Sequence, residues 1–183
     1  MGSSRERKRS DACTSSIIAI VRLHAKLDNL YVHLQVGSLT QLLSCADFAE
    51  IEPVNGAKQA LEHLKQYFEL HVVTSRQSDI ETQTRAFISQ HFPSTFTDIH
   101  FGNHFGKSGE RISKPAMCAK IGAVALIDDH IAYAKQCANA NIPVFLFGNY
   151  AWNQSSEKLD DRITRVANWR MVAQVVTPAT CQS

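Results

Sequence analysis

Ala123-Val-Ala-Leu-Ile-Asp128-Asp129 is the stretch that decides the fold, because it is a short apolar run that ends in two adjacent carboxylates. Gly122 precedes it, and apolar runs of this length between breakers are typical of a strand buried on both faces of a parallel sheet. Ligands bind at the carboxyl ends of the strands in such sheets, where Asp128 and Asp129 would lie. Two neighbouring carboxylates repel each other unless a cation or hydrogen bonds compensate them. The pair therefore indicates a cation site or, alternatively, a helix cap beside a solvated side chain.

Length and composition favour one α/β domain. The chain has 183 residues, which is enough to bury a full core. No apolar stretch approaches the roughly 18 residues that a membrane span needs, so we expect no membrane partner. The formal charge of +2 gives no specific nucleic-acid signal. We predict a disordered basic tail over residues 1–15 and a single domain over residues 16–176.

The cysteines indicate a reducing compartment. They are scattered and form no Cys-x-x-Cys pair, which argues against a zinc site or a disulfide framework. We interpret all five as buried small apolar residues: Cys13, Cys45, Cys118, Cys137 and Cys181. A cytoplasmic location follows, and the Arg/Lys cluster in the first ten residues leaves a nuclear location as the alternative.

Strands and helices are predicted to alternate along most of the chain. Strands are predicted over residues 16–21, 30–36, 70–74, 98–101, 123–128 and 142–147. Helices are predicted over residues 53–68, 79–91, 113–122, 130–140 and 168–176. This alternation implies right-handed crossovers and a three-layer, Rossmann-like parallel sheet, which is an α/β fold.

Three groups of side chains would meet at the carboxyl edge of that sheet. Thr74 and Ser75 follow one strand, Lys114 begins a helix, and Asp128 and Asp129 follow another strand. Hydroxyl and backbone N–H groups can bind phosphoryl oxygens, a lysine neutralises charge, and carboxylates suit Mg²⁺, a hard cation that takes oxygen ligands. Each group alone is as easily a cap or a solvated side chain, but their order on successive strand ends predicts a phosphate site.

These residues resemble a known family. Val72-Val-Thr-Ser-Arg-Gln77, Ser113-Lys114 and Leu126-Ile-Asp-Asp129 are similar to the second, third and fourth motifs of the haloacid dehalogenase (HAD) superfamily of phosphohydrolases. The likeness is strongest to 5′-nucleotidase-like and uncharacterised HAD proteins of eukaryotes. It makes residues 50–176 family-like and residues 16–48 atypical.

The resemblance implies a HAD-like core, with a short or absent cap, and a role for each residue at the sheet edge. The implied roles are substrate binding for Thr74, Ser75 and Arg76, a catalytic charge-balancing role for Lys114, and Mg²⁺ ligation for Asp128 and Asp129. The implied substrate is a phosphorylated, nucleotide-like small molecule. The implied topology places the strand at residues 17–21 in the centre, between the strands that end at Thr74 and Asp128.

The first motif of the family is missing. It should be Asp-x-Asp after the central strand, with the first Asp as nucleophile and the second as acid/base. Here that strand continues as Val21-Arg22-Leu23-His24, so Arg22 stands at the nucleophile position and His24 at the acid/base position. A guanidinium cannot attack phosphorus. Asp28 is the only nearby carboxylate, and it forms no Asp-x-Asp.

We therefore expect a HAD-like protein that is inactive as a phosphohydrolase. One alternative is a working Mg²⁺-dependent phosphomonoesterase with an unrecognised nucleophile, or with a proper first motif in a form whose first residues come from another exon. The other is an α/β interaction module. For the metal, the alternative is that Arg22 pairs with Asp128 or Asp129 and takes the place of Mg²⁺.

Overall fold

The computed structural model describes residues 17–20, 52–104 and 109–177, and these ranges form an α/β structure as predicted. The strands are β1 (Ile17–Ile20), β2 (Glu69–Thr74), β3 (Asp98–Phe101), β4 (Ala123–Asp128), β5 (Val144–Phe147) and β6 (Ile163–Val166). The helices are α1 (Ala57–Leu64), α2 (Glu81–His91), α3 (Lys114–Ile121), α4 (Ile131–Asn139) and α5 (Trp169–Val176). Short 3₁₀ turns occupy Ser78–Ile80 and Ala151–Asn153.

All the strand pairs are parallel, and the sheet order is β3-β2-β1-β4-β5-β6. The predicted central position of β1 is confirmed. Ile20 lies opposite Val72 of β2 on one side and Ile127 of β4 on the other. The chain therefore leaves β1 at the same edge of the sheet at which β2 and β4 end.

Both faces of the sheet are buried, which explains the uninterrupted apolar runs. Val72 and Ile127 belong to a core cluster with residues of α1, α2 and α5. Val73 and Leu126, one position away, belong to a second cluster with residues of α3 and α4. Since successive strand residues point to opposite faces, a strand between two helical layers must be apolar at nearly every position.

The ends of α3 lie where the sequence predicts them. Ser113 Oγ accepts a hydrogen bond from the Ala116 N–H, and Pro115 occupies the first turn, where its missing N–H costs nothing. Gly122 ends the helix with a φ of 68°, a left-handed conformation that favours glycine. The helix is therefore delimited on both sides, and Lys114 is its first residue.

Strand β6 was not predicted. The run Ile163-Thr-Arg-Val166 is short, and charged residues surround it. The sequence feature that could have indicated a strand is the content of β-branched residues. Ile163 and Val166, at its two ends, are buried. It pairs with β5 at the edge of the sheet, and each of its two faces has one buried apolar residue, Ile163 on one and Val166 on the other.

Several expectations lie outside the described residues. They are the basic tail, the strand over residues 30–36, and the short or absent cap, and they stay predictions, as do the domain boundaries. Two of the cysteines, Cys118 and Cys137, are buried and unbridged as expected. Within the described ranges, no helix is long and apolar enough to cross a bilayer.

Two histidines, one on β2 and one on β3, stack on each other. His71 Nδ1 and His100 Nε2 are 2.9 Å apart and share a hydrogen bond, and the two rings are nearly parallel. Burial lowers the pKa of His100 below its usual value of 6.5, and the neighbouring His71 lowers it further, whereas Asp98 opposes both effects. The unfolded chain therefore binds a proton at His100 more readily than the folded protein does.

We predict that acidification from pH 7.5 to 5.5 lowers the free energy of unfolding and that His100→Gln reduces this loss. Stability should fall as the pH drops below about 6.5, because the unfolded state is then protonated first. Part of the loss should remain in the variant, since burial also lowers the pKa of His91. Urea unfolding of both proteins across this range measures the effect. An identical pH profile for the two proteins would contradict the prediction.

Candidate active site at the carboxyl edge of the sheet

Lys114 and Asp128 form a buried ion pair at the carboxyl edge. The distance from Lys114 Nζ to Asp128 Oδ2 is 2.6 Å, and both side chains are almost completely inaccessible to solvent. The other carboxylate oxygen, Oδ1, accepts the backbone N–H of His130 at 2.9 Å. Both oxygens of Asp128 thus have donors. The contact that the sequence predicted between Lys114 and a carboxylate is present.

Tyr133 is a second partner of Lys114 that sequence reasoning missed. Lys114 Nζ lies 3.9 Å from the centre of the Tyr133 ring, which is within the range of a cation–π interaction. The Tyr133 hydroxyl lies 3.5 Å from His104 Nδ1, and His104 Nε2 lies 3.0 Å from the carbonyl oxygen of Ile112. The only feature of the sequence that could have pointed to this contact is that Tyr133 lies about one helical turn after the Asp128-Asp129 pair. The ammonium is therefore held between a carboxylate and an aromatic ring.

Asp129 is held by a different kind of donor. Trp152 Nε1–H donates a hydrogen bond of 2.9 Å to Asp129 Oδ2, and Asp129 is buried. Trp152 stacks on Tyr150, with ring centres 4.6 Å apart and planes 4° from parallel. From sequence, these aromatic residues could stack on a base or pack in the core. Tyr150 packs against the core, the two rings stack on each other, and Trp152 reaches the second carboxylate.

The hydroxyl groups after β2 have unequal surroundings. Thr74 Oγ1 accepts the backbone N–H of Arg76 at 3.2 Å, so the side chain closes a local turn and its hydroxyl hydrogen stays available. Arg76 Nη1 donates to Thr84 Oγ1 at 3.1 Å, which ties the guanidinium to α2. Ser75 Oγ is buried and has no hydrogen-bond partner among the residues that the structure describes. A buried unpartnered hydroxyl is costly and calls for an explanation.

Backbone hydrogen bonds of Gly102 hold the end of β2 in place. Gly102 N–H donates to the Thr74 carbonyl at 2.7 Å, and its own carbonyl accepts the Ile112 N–H at 2.9 Å. A Cβ at Gly102 would lie 2.7 Å from the Ile112 carbonyl oxygen, closer than real Cβ contacts. The approach of the chain after β3 to the end of β2 thus requires glycine.

The two carboxylates fit the donor chemistry of Mg²⁺. This ion takes oxygen ligands, keeps several waters, and is often bound through one or two carboxylates. The described part of the chain contains no group of three or more His, Cys, Asp or Glu side chains arranged for a metal. Arg22 and His24 lie outside the described residues, so the pairing predicted for Arg22 stays a prediction.

Comparisons with solved structures identify the fold. An uncharacterized protein from Listeria monocytogenes serotype 4b is similar at a TM-score of 0.62 and 15% identity, over 88% of this chain and 96% of that one. A HAD-superfamily hydrolase of subfamily IA, variant 1, from Geobacter sulfurreducens PCA matches at 0.56 and 10%, over 88% and 96%. A predicted phosphatase from Clostridium acetobutylicum matches at 0.57 and 14%, over 88% and 98%.

Sequence comparisons add nothing to this result, since no family model and no curated protein matches the chain. Identities this low show a common fold only. The chain therefore has the fold of HAD-superfamily hydrolases, as the motifs at the sheet edge predicted, and the roles of its site residues stay predictions.

We predict that Lys114→Met and Asp128→Asn each lower the free energy of unfolding by about 3–5 kcal/mol, because each leaves a buried charge without its partner. The double variant should lose clearly less than the sum, since no uncompensated charge remains. A double-mutant cycle in urea measures the coupling between the two residues.

The matched control is the ion pair of Lys135 and Glu157, which has a similar Nζ–Oε2 distance of 2.8 Å but side chains that are 45% and 74% exposed. The same cycle with Lys135→Met and Glu157→Gln should show no measurable coupling, because solvent screens exposed pairs. Additive effects at Lys114 and Asp128 would show that their contact does not stabilise the fold.

Proposed function

We propose that this chain is a HAD-like domain that binds a phosphorylated, nucleotide-like small molecule with Mg²⁺ at the carboxyl edge of the sheet and does not hydrolyse it. The observation that carries the proposal is the buried Lys114–Asp128 pair, which lies on the strand end next to β1. It supports a site that keeps the charges needed to hold phosphate. None of the four residues that follow β1 in the sequence has a carboxylate to attack it.

The energetics of burial support a binding role. Removing two ions from water costs several kcal/mol per ion, and well-packed apolar residues of similar volume often serve stability equally well. Here a lysine and two carboxylates, Asp128 and Asp129, are buried at one sheet edge. Binding of a charged ligand would explain why these charged side chains are buried, whereas packing alone would not.

Each residue has a chemical part in the proposed complex. The Ser75 hydroxyl would donate to a phosphoryl oxygen and so acquire the partner it lacks among the described residues. Thr74 would add its hydroxyl hydrogen and Arg76 its positive charge. Lys114 would balance the phosphoryl charge. Asp129, with Asp128 beside it, would hold Mg²⁺, which supplies further neutralisation of the phosphate.

Hydrolysis through a covalent intermediate requires a nucleophile in line with the phosphorus. The sequence after β1 is Val21-Arg22-Leu23-His24, in which no side chain is a carboxylate. The principal alternative remains a working phosphomonoesterase whose nucleophile lies elsewhere in the chain. In the other alternative for the metal, Arg22 supplies the cation. This pairing with Asp128 or Asp129 stays a prediction, because Arg22 lies outside the described residues.

We predict no phosphate release from para-nitrophenyl phosphate or nucleoside 5′-monophosphates, with Mg²⁺ or with a chelator. The wild-type rate should equal that of Asp128→Asn, which serves as the control for contaminating phosphatases. The reason is the missing nucleophile. Mg²⁺-dependent turnover by the wild type that Asp128→Asn abolishes would establish the alternative of a working hydrolase.

We predict that Ser75→Ala weakens the binding of inorganic phosphate by about 10- to 150-fold and leaves stability unchanged or slightly increased. A hydrogen bond to a charged group contributes about 1.5–3 kcal/mol, whereas a buried hydroxyl without a partner costs about 1–3 kcal/mol in the empty protein. Calorimetric titration with phosphate and urea unfolding measure the two effects.

Thr95→Ala is the matched control. Thr95 is also buried, but its hydroxyl already donates to Glu62 Oε1 at 3.2 Å, near the opposite edge of the sheet. Its loss should lower stability and leave phosphate binding unchanged. If Ser75→Ala behaves in the same way as Thr95→Ala, Ser75 is a structural residue and the phosphate site is not at the end of β2.

A further inference from the structure

The second carboxylate of the site depends on a residue far from it in the sequence. Trp152 lies 23 positions after Asp129, yet its indole Nε1–H donates to Asp129 Oδ2 at 2.9 Å. Trp152 belongs to the short segment of residues 148–153 that follows β5, which we call the indole loop. The question is whether this contact is ordinary packing or an arrangement that fixes the carboxylate.

Hydrogen bonds from one side chain fix the shape of the indole loop. Asn153 is fully buried, and its Nδ2 donates to the carbonyl oxygens of Phe147 and Gly148 at 2.9 and 3.2 Å. Asn153 Oδ1 accepts the Tyr150 N–H at 3.2 Å, and the Asn153 carbonyl accepts Arg165 Nη2 at 2.7 Å. The loop is therefore tied to β5, to itself and to β6.

The aromatic rings fix the direction of the indole. Gly148 has a φ of 81°, and a Cβ at this position would overlap the Tyr150 ring, so the ring lies directly over the glycine. Trp152 stacks on the Tyr150 ring, with the two ring centres 4.6 Å apart. Because Tyr150 is held by the backbone and Trp152 by Tyr150, the indole N–H meets Asp129 from a set direction.

The chemistry of the donor suits a carboxylate that must keep its negative charge for a cation. An indole is a donor only and carries no charge, so this hydrogen bond orients Asp129 without adding a positive charge of its own. Asp128, by contrast, has a charged donor, the ammonium of Lys114. Carboxylates that ligate metals are themselves usually hydrogen-bonded, and such outer partners set the orientation of the ligand.

We propose that Trp152 is a positioning residue that holds Asp129 in the orientation required to ligate Mg²⁺. The inference rests on the metal assignment in the proposed function. It assigns the indole loop a role in metal affinity, although the loop itself contributes no metal ligand.

The test is calorimetric titration of the folded protein with Mg²⁺. Trp152→Phe keeps an aromatic ring against Tyr150 and removes the indole N–H, so it should weaken Mg²⁺ binding by 10- to 100-fold. Tyr150→Phe is the matched control, because it keeps the stacked pair and the indole N–H. It should bind Mg²⁺ as the wild type does. Equal affinity for Mg²⁺ in the wild type and Trp152→Phe would overturn the inference.

A spectroscopic readout on the unmodified chain makes the test independent of how well the variant folds. The chain has two tryptophans, and the other, Trp169, is fully buried in the core. Mg²⁺ should shift the Trp152 indole N–H resonance and the tryptophan emission, and Asp129→Asn should abolish both changes. The emission of Trp152→Phe, which reports Trp169 alone, should not respond.

The outcomes separate this inference from the proposed function. If the wild type binds no Mg²⁺, or binds it without any change at Trp152, the positioning role is refuted. Phosphate binding and its sensitivity to Ser75→Ala would still stand in that case. Loss of phosphate binding with retained Mg²⁺ binding would refute the proposed function and leave the role of Trp152 intact.

Discussion

The ion pair between Lys114 and Asp128 is the contact on which the geometry of the sheet edge depends. It joins the first residue of α3 to the last residue of β4, and Asp128 also accepts the N–H of His130 just before α4. Three elements are thereby fixed relative to one another by a single carboxylate. Because neither charge is exposed, a shift of either helix would leave an ion buried without its partner. The pair therefore specifies the positions of both helix starts as well as linking them.

Much of the fold could be predicted from the sequence because both faces of the sheet are covered. A strand between two helical layers is apolar throughout, and the run from Ala123 to Ile127 shows that pattern without ambiguity. Parallel strands also end at one edge, so Thr74 and Asp128 could be assigned to the same edge of the sheet from their order alone. Strand β6 was missed, because each of its faces has one apolar and one polar residue, which gives neither an apolar run nor a regular alternation.

The partners of the site residues were harder to predict than the residues themselves. Lys114 could be matched to a carboxylate because the resemblance to the HAD superfamily implies that a lysine at this position balances charge. Tyr133 and Trp152 could not, because aromatic residues at such positions pack in a core as readily as they contact a charged group. The Trp152–Asp129 contact also depends on the loop geometry set by Gly148 and Asn153. Sequence periodicity contains no information on that geometry.

The two adjacent carboxylates have different donors, and this difference bears on what the site can hold. Asp128 pairs with the ammonium of Lys114 and accepts a backbone N–H, whereas Asp129 accepts a hydrogen bond from the uncharged indole of Trp152. In the proposed complex, Asp129 with Asp128 beside it would hold Mg²⁺, and Lys114 and Ser75 would contact the phosphoryl group. Because Mg²⁺ and phosphate also attract each other, the proposed arrangement favours their joint binding.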